Sequence, residues 1–197
     1  MKTRIALTSL LLAFTTPNVA PNHSTFQPEP VTPIYTPAKT QPYTLPTTLE
    51  DRIKPYYELI AETEQQYNIP EDWLGGLILT ESSFNPYAYS HTQDAGLAQF
   101  SPTTAEAYHL KITDHHTVQR HLKNNEYEAL QRIDERYNPE IAIPNAGLYF
   151  STLYHEAEGT QQQKLNQAIQ RYKGISDNNP KKQWYLDEVF WRMAEYD

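Results

Sequence analysis

One glutamate lies on a helix face that is otherwise apolar. Trp73, Leu77 and Glu81 recur every four residues in a segment rich in aliphatic side chains, so they share the apolar face of a predicted helix. Asn85-Pro86 disfavours further helix and places Glu81 in the last turn. Burial and the negative end of the helix dipole both oppose ionisation, so we expect the pKa of this carboxyl group to be raised. Such a group can donate a proton to a leaving oxygen, as cleavage of a glycosidic bond requires; the alternative is a helix-terminal glutamate whose head group reaches water.

Short motifs follow this glutamate at fixed offsets. They are Asn85-Pro86, Ser90, Gly96-Leu97-Ala98-Gln99 and Pro102-Thr103-Thr104-Ala105. In this order and at this spacing they resemble the signature of the soluble-type lytic transglycosylase (SLT) family, which shares the fold of goose-type lysozyme. The resemblance covers about residues 53–190 and is strongest in the first half. Downstream, Ala168 to Gly174 resembles the family's Ala-Tyr-Asn-x-Gly segment, with Tyr172 in the tyrosine position.

The resemblance implies a reaction and a role for each matched residue. The family cleaves the β-1,4 bond between N-acetylmuramic acid and N-acetylglucosamine in peptidoglycan, using one glutamate as acid and then base and leaving a 1,6-anhydro end. By position, Glu81 is that catalytic residue, Ser90 and Gln99 contact the sugar near the cleavage point, and Tyr172 hydrogen-bonds near Glu81. Each of the last three also has a structural interpretation: Ser90 as a turn residue, Gln99 as a loop-closing amide, Tyr172 as core packing. No cofactor is implied, because the nucleophile comes from the substrate.

Two departures from the family pattern leave alternatives open. Gln93-Asp94 replaces a small Gly-Ala pair, which puts the shape of the loop beside the cleft in doubt, and Lys173 replaces an asparagine, which puts one substrate contact in doubt. One alternative is a non-catalytic peptidoglycan-binding or assembly module that keeps the fold and groove. Another is a hydrolytic lysozyme in which Asp94 serves as the second carboxylate and activates a water.

The elements that must position these residues are predicted to be helices throughout, so the fold class is all-α. The predicted helices cover about residues 56–67, a segment starting near 70–72, a segment starting at Ser101-Pro102, and residues 123–137, 145–158, 165–173 and 182–194. Gly174 is expected to end the sixth of these as a C-cap glycine.

The front of the chain predicts export. Lys2 and Arg4 precede an apolar run at residues 5–14, so residues 1–20 are interpreted as a signal peptide, with an uncleaved anchor as the alternative. Residues 21–48 are rich in Pro and Thr and predict a disordered linker, followed by the folded domain at residues 49–197. We therefore expect an exported protein of the periplasm or cell envelope, with membrane contact only if the signal segment is retained.

Composition limits the classes of partner and of catalytic chemistry that the chain can have. The formal net charge of -8 argues against nucleic acid, and the absence of cysteine excludes thiol catalysis and disulfide scaffolds. The seven histidines match no metal-binding spacing, so no metal is predicted. The expected partner is the peptidoglycan glycan strand, with a secretion, conjugation or phage-entry machine as a further candidate that the sequence does not select.

Overall fold

The computed structural model describes residues 42–196, and that part of the chain is built from helices and loops. The helices are α1 Leu49–Ile53, α2 Tyr57–Gln66, α3 Trp73–Ser82, α4 Pro102–Ala107, α5 His115–Lys123, α6 Tyr127–Ile133, α7 Pro139–Glu156, α8 Gln161–Lys173 and α9 Lys182–Tyr196, with a 3₁₀ turn at Glu135–Tyr137. Pairing of extended backbone in the described residues is limited to isolated bridges of Ala95 with Tyr89 and Phe100. The all-α prediction is confirmed.

The predicted signal segment and most of the predicted linker lie outside the described residues. The last residues of that linker, 42–48, contact the domain: the Tyr43 ring lies edge-on to Tyr87 with centroids 4.9 Å apart, and the Pro46 carbonyl accepts a hydrogen bond from Arg52 at 2.6 Å. Among the described helices, none is both long and apolar enough to cross a membrane.

Helix α3 forms the centre of the domain. Its residues from Leu74 to Leu79 are all buried, which follows from the apolar sequence of this segment. Helix α9 packs directly against its backbone, because a Cβ atom at Gly76 would lie 2.5 Å from Met193 Cα. The glycine therefore permits a close approach between elements that are far apart in the chain.

Helix α7 begins earlier than the sequence predicts. Asn138 is its N-cap and Pro139 its first residue, and the helix continues through Pro144, so the expected start at residue 145 is wrong. Ile143 and Ala146 are fully buried on either side of that proline, and their packing compensates for the backbone hydrogen bond that Pro144 cannot donate.

The helix predicted at residues 123–137 is shorter in the structure, where α6 covers Tyr127–Ile133. It starts after Asn125, which has a positive φ of 57°, and it ends at Asp134, whose backbone is extended. Helix α5 was not predicted. The predicted starts near residues 70–72 and at Ser101-Pro102 are confirmed to within a few residues, as is the C-cap at Gly174 with its φ of 69°.

Candidate active site

Glu81 lies in the last turn of α3, as the sequence predicts. Its side chain is only 2% exposed, so the alternative of a glutamate that reaches water is wrong. The helix ends directly after it, since Ser83 and Phe84 both have positive φ angles and the Phe84 side chain is fully buried. This buried ring fixes the chain reversal and keeps Glu81 at the helix end.

Both carboxylate oxygens of Glu81 have a partner. Oε2 accepts from Lys173 Nζ at 2.6 Å, at the end of α8. Oε1 accepts a hydrogen bond from the Tyr185 hydroxyl on α9. The pKa of Tyr185 is raised well above its ordinary value by burial and by the charge of Glu81, so this hydroxyl stays protonated and donates.

Tyr185 is a site residue that sequence reasoning missed. It lies in the apolar pattern of α9, where it is only 5% exposed and resembles a core residue. Its approach to Glu81 depends on the packing of α9 against Gly75 and Gly76 of α3. No spacing in the sequence signals that contact, because the two residues are 104 positions apart.

A cavity of about 270 Å³ opens beside Glu81. Its walls come from the end of α3, the loop at residues 94–101, helix α4, helix α7 and the end of α8. The residues that line it are Glu81, Asp94, Gln99, Phe100, Ser101, Thr104, Tyr149, Arg171, Tyr172, Lys173 and Gly174. The structure thus brings together Glu81, Gln99 and Tyr172 of the predicted site.

Gln99 lines the cavity and also closes its own loop. Its Nε2 atom donates to the Gly96 carbonyl at 2.8 Å and to the Ala88 carbonyl at 3.3 Å. The residue has a φ of 48°, a left-handed conformation that these hydrogen bonds stabilise. The geometry therefore supports the loop-closing interpretation, and contact with a sugar stays a prediction.

Tyr172 binds the same loop and not the glutamate. Its hydroxyl donates to the Ala98 carbonyl at 3.0 Å, and burial raises its pKa well above the ordinary value, with the charge of Glu81 adding to the effect. The ring packs against Tyr149, with centroids 4.9 Å apart. The expected hydrogen bond near Glu81 is made by Tyr185, because α9 is the helix that packs along α3.

Ser90 lies outside the set of cavity-lining residues. Its hydroxyl accepts from the Asp94 backbone N–H at 2.9 Å and lies 2.8 Å from the Thr92 hydroxyl. These bonds correspond to the turn-residue interpretation. A sugar contact by Ser90 stays a prediction.

A buried ion pair holds the backbone of the loop at residues 93–100. Asp134 and Arg136 are 0% and 2% exposed and pair at 2.7 Å, and Arg136 Nη1 donates to the Gln93 carbonyl at 2.8 Å. At Gly96, with a φ of 74°, a Cβ atom would lie 1.9 Å from the Arg136 carbonyl oxygen. Sequence reasoning missed this pair, although it bears on the departure at Gln93: Arg136 binds the backbone carbonyl of that residue, and the Gln93 N–H donates to the Ser90 carbonyl at 3.1 Å.

The site residues are not arranged to hold a metal ion. Across residues 42–196, no three histidine, aspartate or glutamate side chains lie together as a metal site would require.

Asp94 lines the cavity, and its Oδ2 atom accepts a hydrogen bond from the Thr92 hydroxyl at 2.8 Å.

Comparison with known proteins adds an independent finding. The model of the transglycosylase SLT domain matches residues 58–185. Similar proteins include membrane-bound lytic murein transglycosylase C of Haemophilus influenzae strain PittEE, 46% identical over 29% of this chain and 16% of that protein. The same enzyme of Histophilus somni strain 2336 is 37% identical over 37% of this chain and 21% of that protein. The chain thus matches about a fifth or less of the length of these curated relatives. No solved structure matches it.

Proposed function

The chain belongs to the transglycosylase SLT domain family, and from that premise we propose that it is a peptidoglycan lytic transglycosylase with Glu81 as its single acid and base. The observation that carries the proposal is the buried carboxylate of Glu81 in the wall of a cavity. The names of the similar proteins, lytic murein transglycosylases, point to the same substrate.

The reaction needs one carboxyl group that changes role. Protonated Glu81 donates its proton to the oxygen that leaves with N-acetylglucosamine, and the bond from that oxygen to C1 of N-acetylmuramic acid breaks. The 6-hydroxyl oxygen of the same muramyl residue then bonds to C1, and its proton passes to Glu81. The products are a free 4-hydroxyl and a 1,6-anhydromuramyl end, and Glu81 is again protonated.

The surroundings of Glu81 suit this chemistry. Tyr185 fixes one carboxylate oxygen, and Tyr172 and Arg136 fix the backbone of the loop at residues 93–100 that faces it. Fixed donors and a rigid wall keep the carboxyl group oriented, so little reorganisation is needed as the reaction proceeds.

The test is mass spectrometry of the soluble products released from purified peptidoglycan by the full chain. We expect anhydromuropeptides from the parent protein and none from Glu81→Gln, which removes the acid but keeps the size of the side chain. Glu62→Gln, on the exposed face of α2, is the matched control and should release the same products as the parent. Loss of products from the control alone, or full activity of Glu81→Gln, would contradict the proposal.

Hydrolysis is the second candidate, because Asp94 lines the same cavity as Glu81. A water activated by Asp94 would attack C1 and give reducing-end muropeptides. Such products from the parent, lost in Asp94→Asn, would identify a lysozyme. No release by the parent with binding to peptidoglycan retained would identify a non-catalytic wall-binding module.

The proposed substrate also indicates where the protein acts. We infer that the protein acts in the cell envelope, where its substrate lies, after export by the segment at residues 1–20. An anchor, a periplasmic location and a secretion, conjugation or phage-entry machine as partner stay predictions.

A further inference from the structure

The two partners of Glu81 differ in exposure and position. Tyr185 is 5% exposed and is not among the residues that line the cavity. Lys173 lines the cavity, and its side chain is 38% exposed. The oxygen bound to Lys173, Oε2, is therefore the one on the cavity side, where a substrate oxygen would have to receive the proton.

Lys173 forms the observed ion pair with Glu81, whereas the other ionisable groups around it are neutral or only line the same cavity. Tyr172 of α8 and Tyr185 of α9 stay neutral, because burial and then the charge of Glu81 raise their pKa values. Asp94 of the loop and Arg171 of α8 line the same cavity. Among the described residues, Lys173 is the cation whose ion pair with Glu81 is seen, at 2.6 Å. An ammonium group at this distance attracts the carboxylate and occupies the approach to Oε2.

We propose that Lys173 is a positioning residue that pairs with Glu81 in the free protein and covers its cavity-side oxygen, and that the acid step requires the ammonium group to move away. This inference rests on the proposed function of Glu81 as the acid. Lys173 is the last residue of α8, and its flexible, partly exposed stem can carry the ammonium group into solvent. Lys173 is also one of the two departures from the pattern that the sequence otherwise resembles.

The test is the steady-state kinetics of product release from peptidoglycan by the full chain. Lys173→Met removes the ammonium group and keeps the unbranched stem, so the cavity-side oxygen of Glu81 is uncovered before substrate binds. We expect the ratio of kcat/KM to kcat to rise about threefold or more over the parent ratio, a modest effect because the ion pair is partly exposed. Lys173→Arg keeps the charge and should keep the parent ratio.

Two further variants complete the design. Lys173→Gln, which can still hydrogen-bond to the carboxylate without a charge, should give the same rise as Lys173→Met and serves if the methionine variant fails to fold. Lys182→Met is the matched control: it removes a cation whose 2.9 Å ion pair is with Asp177, and it should leave the ratio unchanged.

The outcomes separate this inference from the proposed function. An unchanged or lowered ratio in both uncharged variants would overturn the role of Lys173. An active Glu81→Gln protein would instead overturn the proposed function itself. An inactive Glu81→Gln protein together with a raised ratio in Lys173→Met and Lys173→Gln supports both.

Discussion

At the scale of single residues, one hydroxyl of the candidate site approaches Glu81 from the core. Tyr185 donates to Glu81 Oε1 and is almost fully buried. A hydrogen bond to a charged group contributes about 1.5–3 kcal/mol, which corresponds to about a tenfold to hundredfold change in rate. We expect Tyr185→Phe to lower kcat for release of soluble muropeptides by about that factor, with little change in KM, because the ring still packs and the cavity is unchanged.

Tyr57→Phe is the matched control for this prediction, since Tyr57 is 58% exposed on α2. It should keep the parent kcat. A Tyr185→Phe protein with parent kcat would show that the hydroxyl does not orient the carboxyl group. A change in KM alone would place its role in substrate binding.

At the scale of elements, a second buried carboxylate, Glu64 of α2, binds the N–H groups at the opposite end of α3. Glu64 of α2 accepts hydrogen bonds from the Leu74 N–H at 2.8 Å and the Asp72 N–H at 3.3 Å. Burial raises the pKa of Glu64 from 4.5 to about 7, although these N–H groups lower it. The folded state therefore binds this proton more tightly than the unfolded state, and the contribution to stability is full below pH 4.5 and is lost as pH rises to about 7.

Glu64→Gln tests this prediction, because glutamine keeps an oxygen acceptor for the N–H groups and does not titrate. The free energy of unfolding of the parent, measured by denaturant titration, should fall relative to that of Glu64→Gln as pH rises from 4.5 to about 7. Glu62→Gln, an exposed change on the same helix, should follow the parent. If the free energy of unfolding of the parent stayed constant or rose relative to that of Glu64→Gln over this pH range, the proposed effect of Glu64 would be wrong.

At the scale of the whole molecule, the contact between α3 and α9 joins the early and late parts of the domain and completes the site. A Cβ atom at Gly76 would meet the backbone of Met193 at 2.5 Å, so Gly76→Ala forces the two helices apart. We expect this variant to lose about 1–3 kcal/mol of stability and to lose activity as Tyr185 moves from Glu81. Thermal unfolding and product release measure the two effects.

Gly174→Ala is the control variant for Gly76→Ala. Apart from Gly174 and its two chain neighbours, no described residue has an atom within 4 Å of the added Cβ, so the cost comes from the positive φ of 69°. That cost is about 1 kcal/mol, without a shift of α9. Equal stability of parent and Gly76→Ala would show that the close approach of α3 and α9 is not required.

The sequence by itself determined the features that depend on neighbours along the chain. The end of α3 at Glu81 follows from the apolar period and Asn85-Pro86, and the capping signals at Ser101 and Gly174 act within one turn. Local patterns failed where packing or a positive φ overrode them: α7 continues through Pro144, and the helix predicted from residue 123 starts only after Asn125.

Only the tertiary structure decided which side chains meet Glu81. Lys173 and Tyr185 lie 92 and 104 residues further along the chain, and Tyr172 turns to Ala98 instead. The Asp134–Arg136 pair that anchors the loop also carries no signal in spacing. These contacts depend on where α8 and α9 pack against α3, and that packing is set by side-chain volumes across the core, which the order of residues does not display.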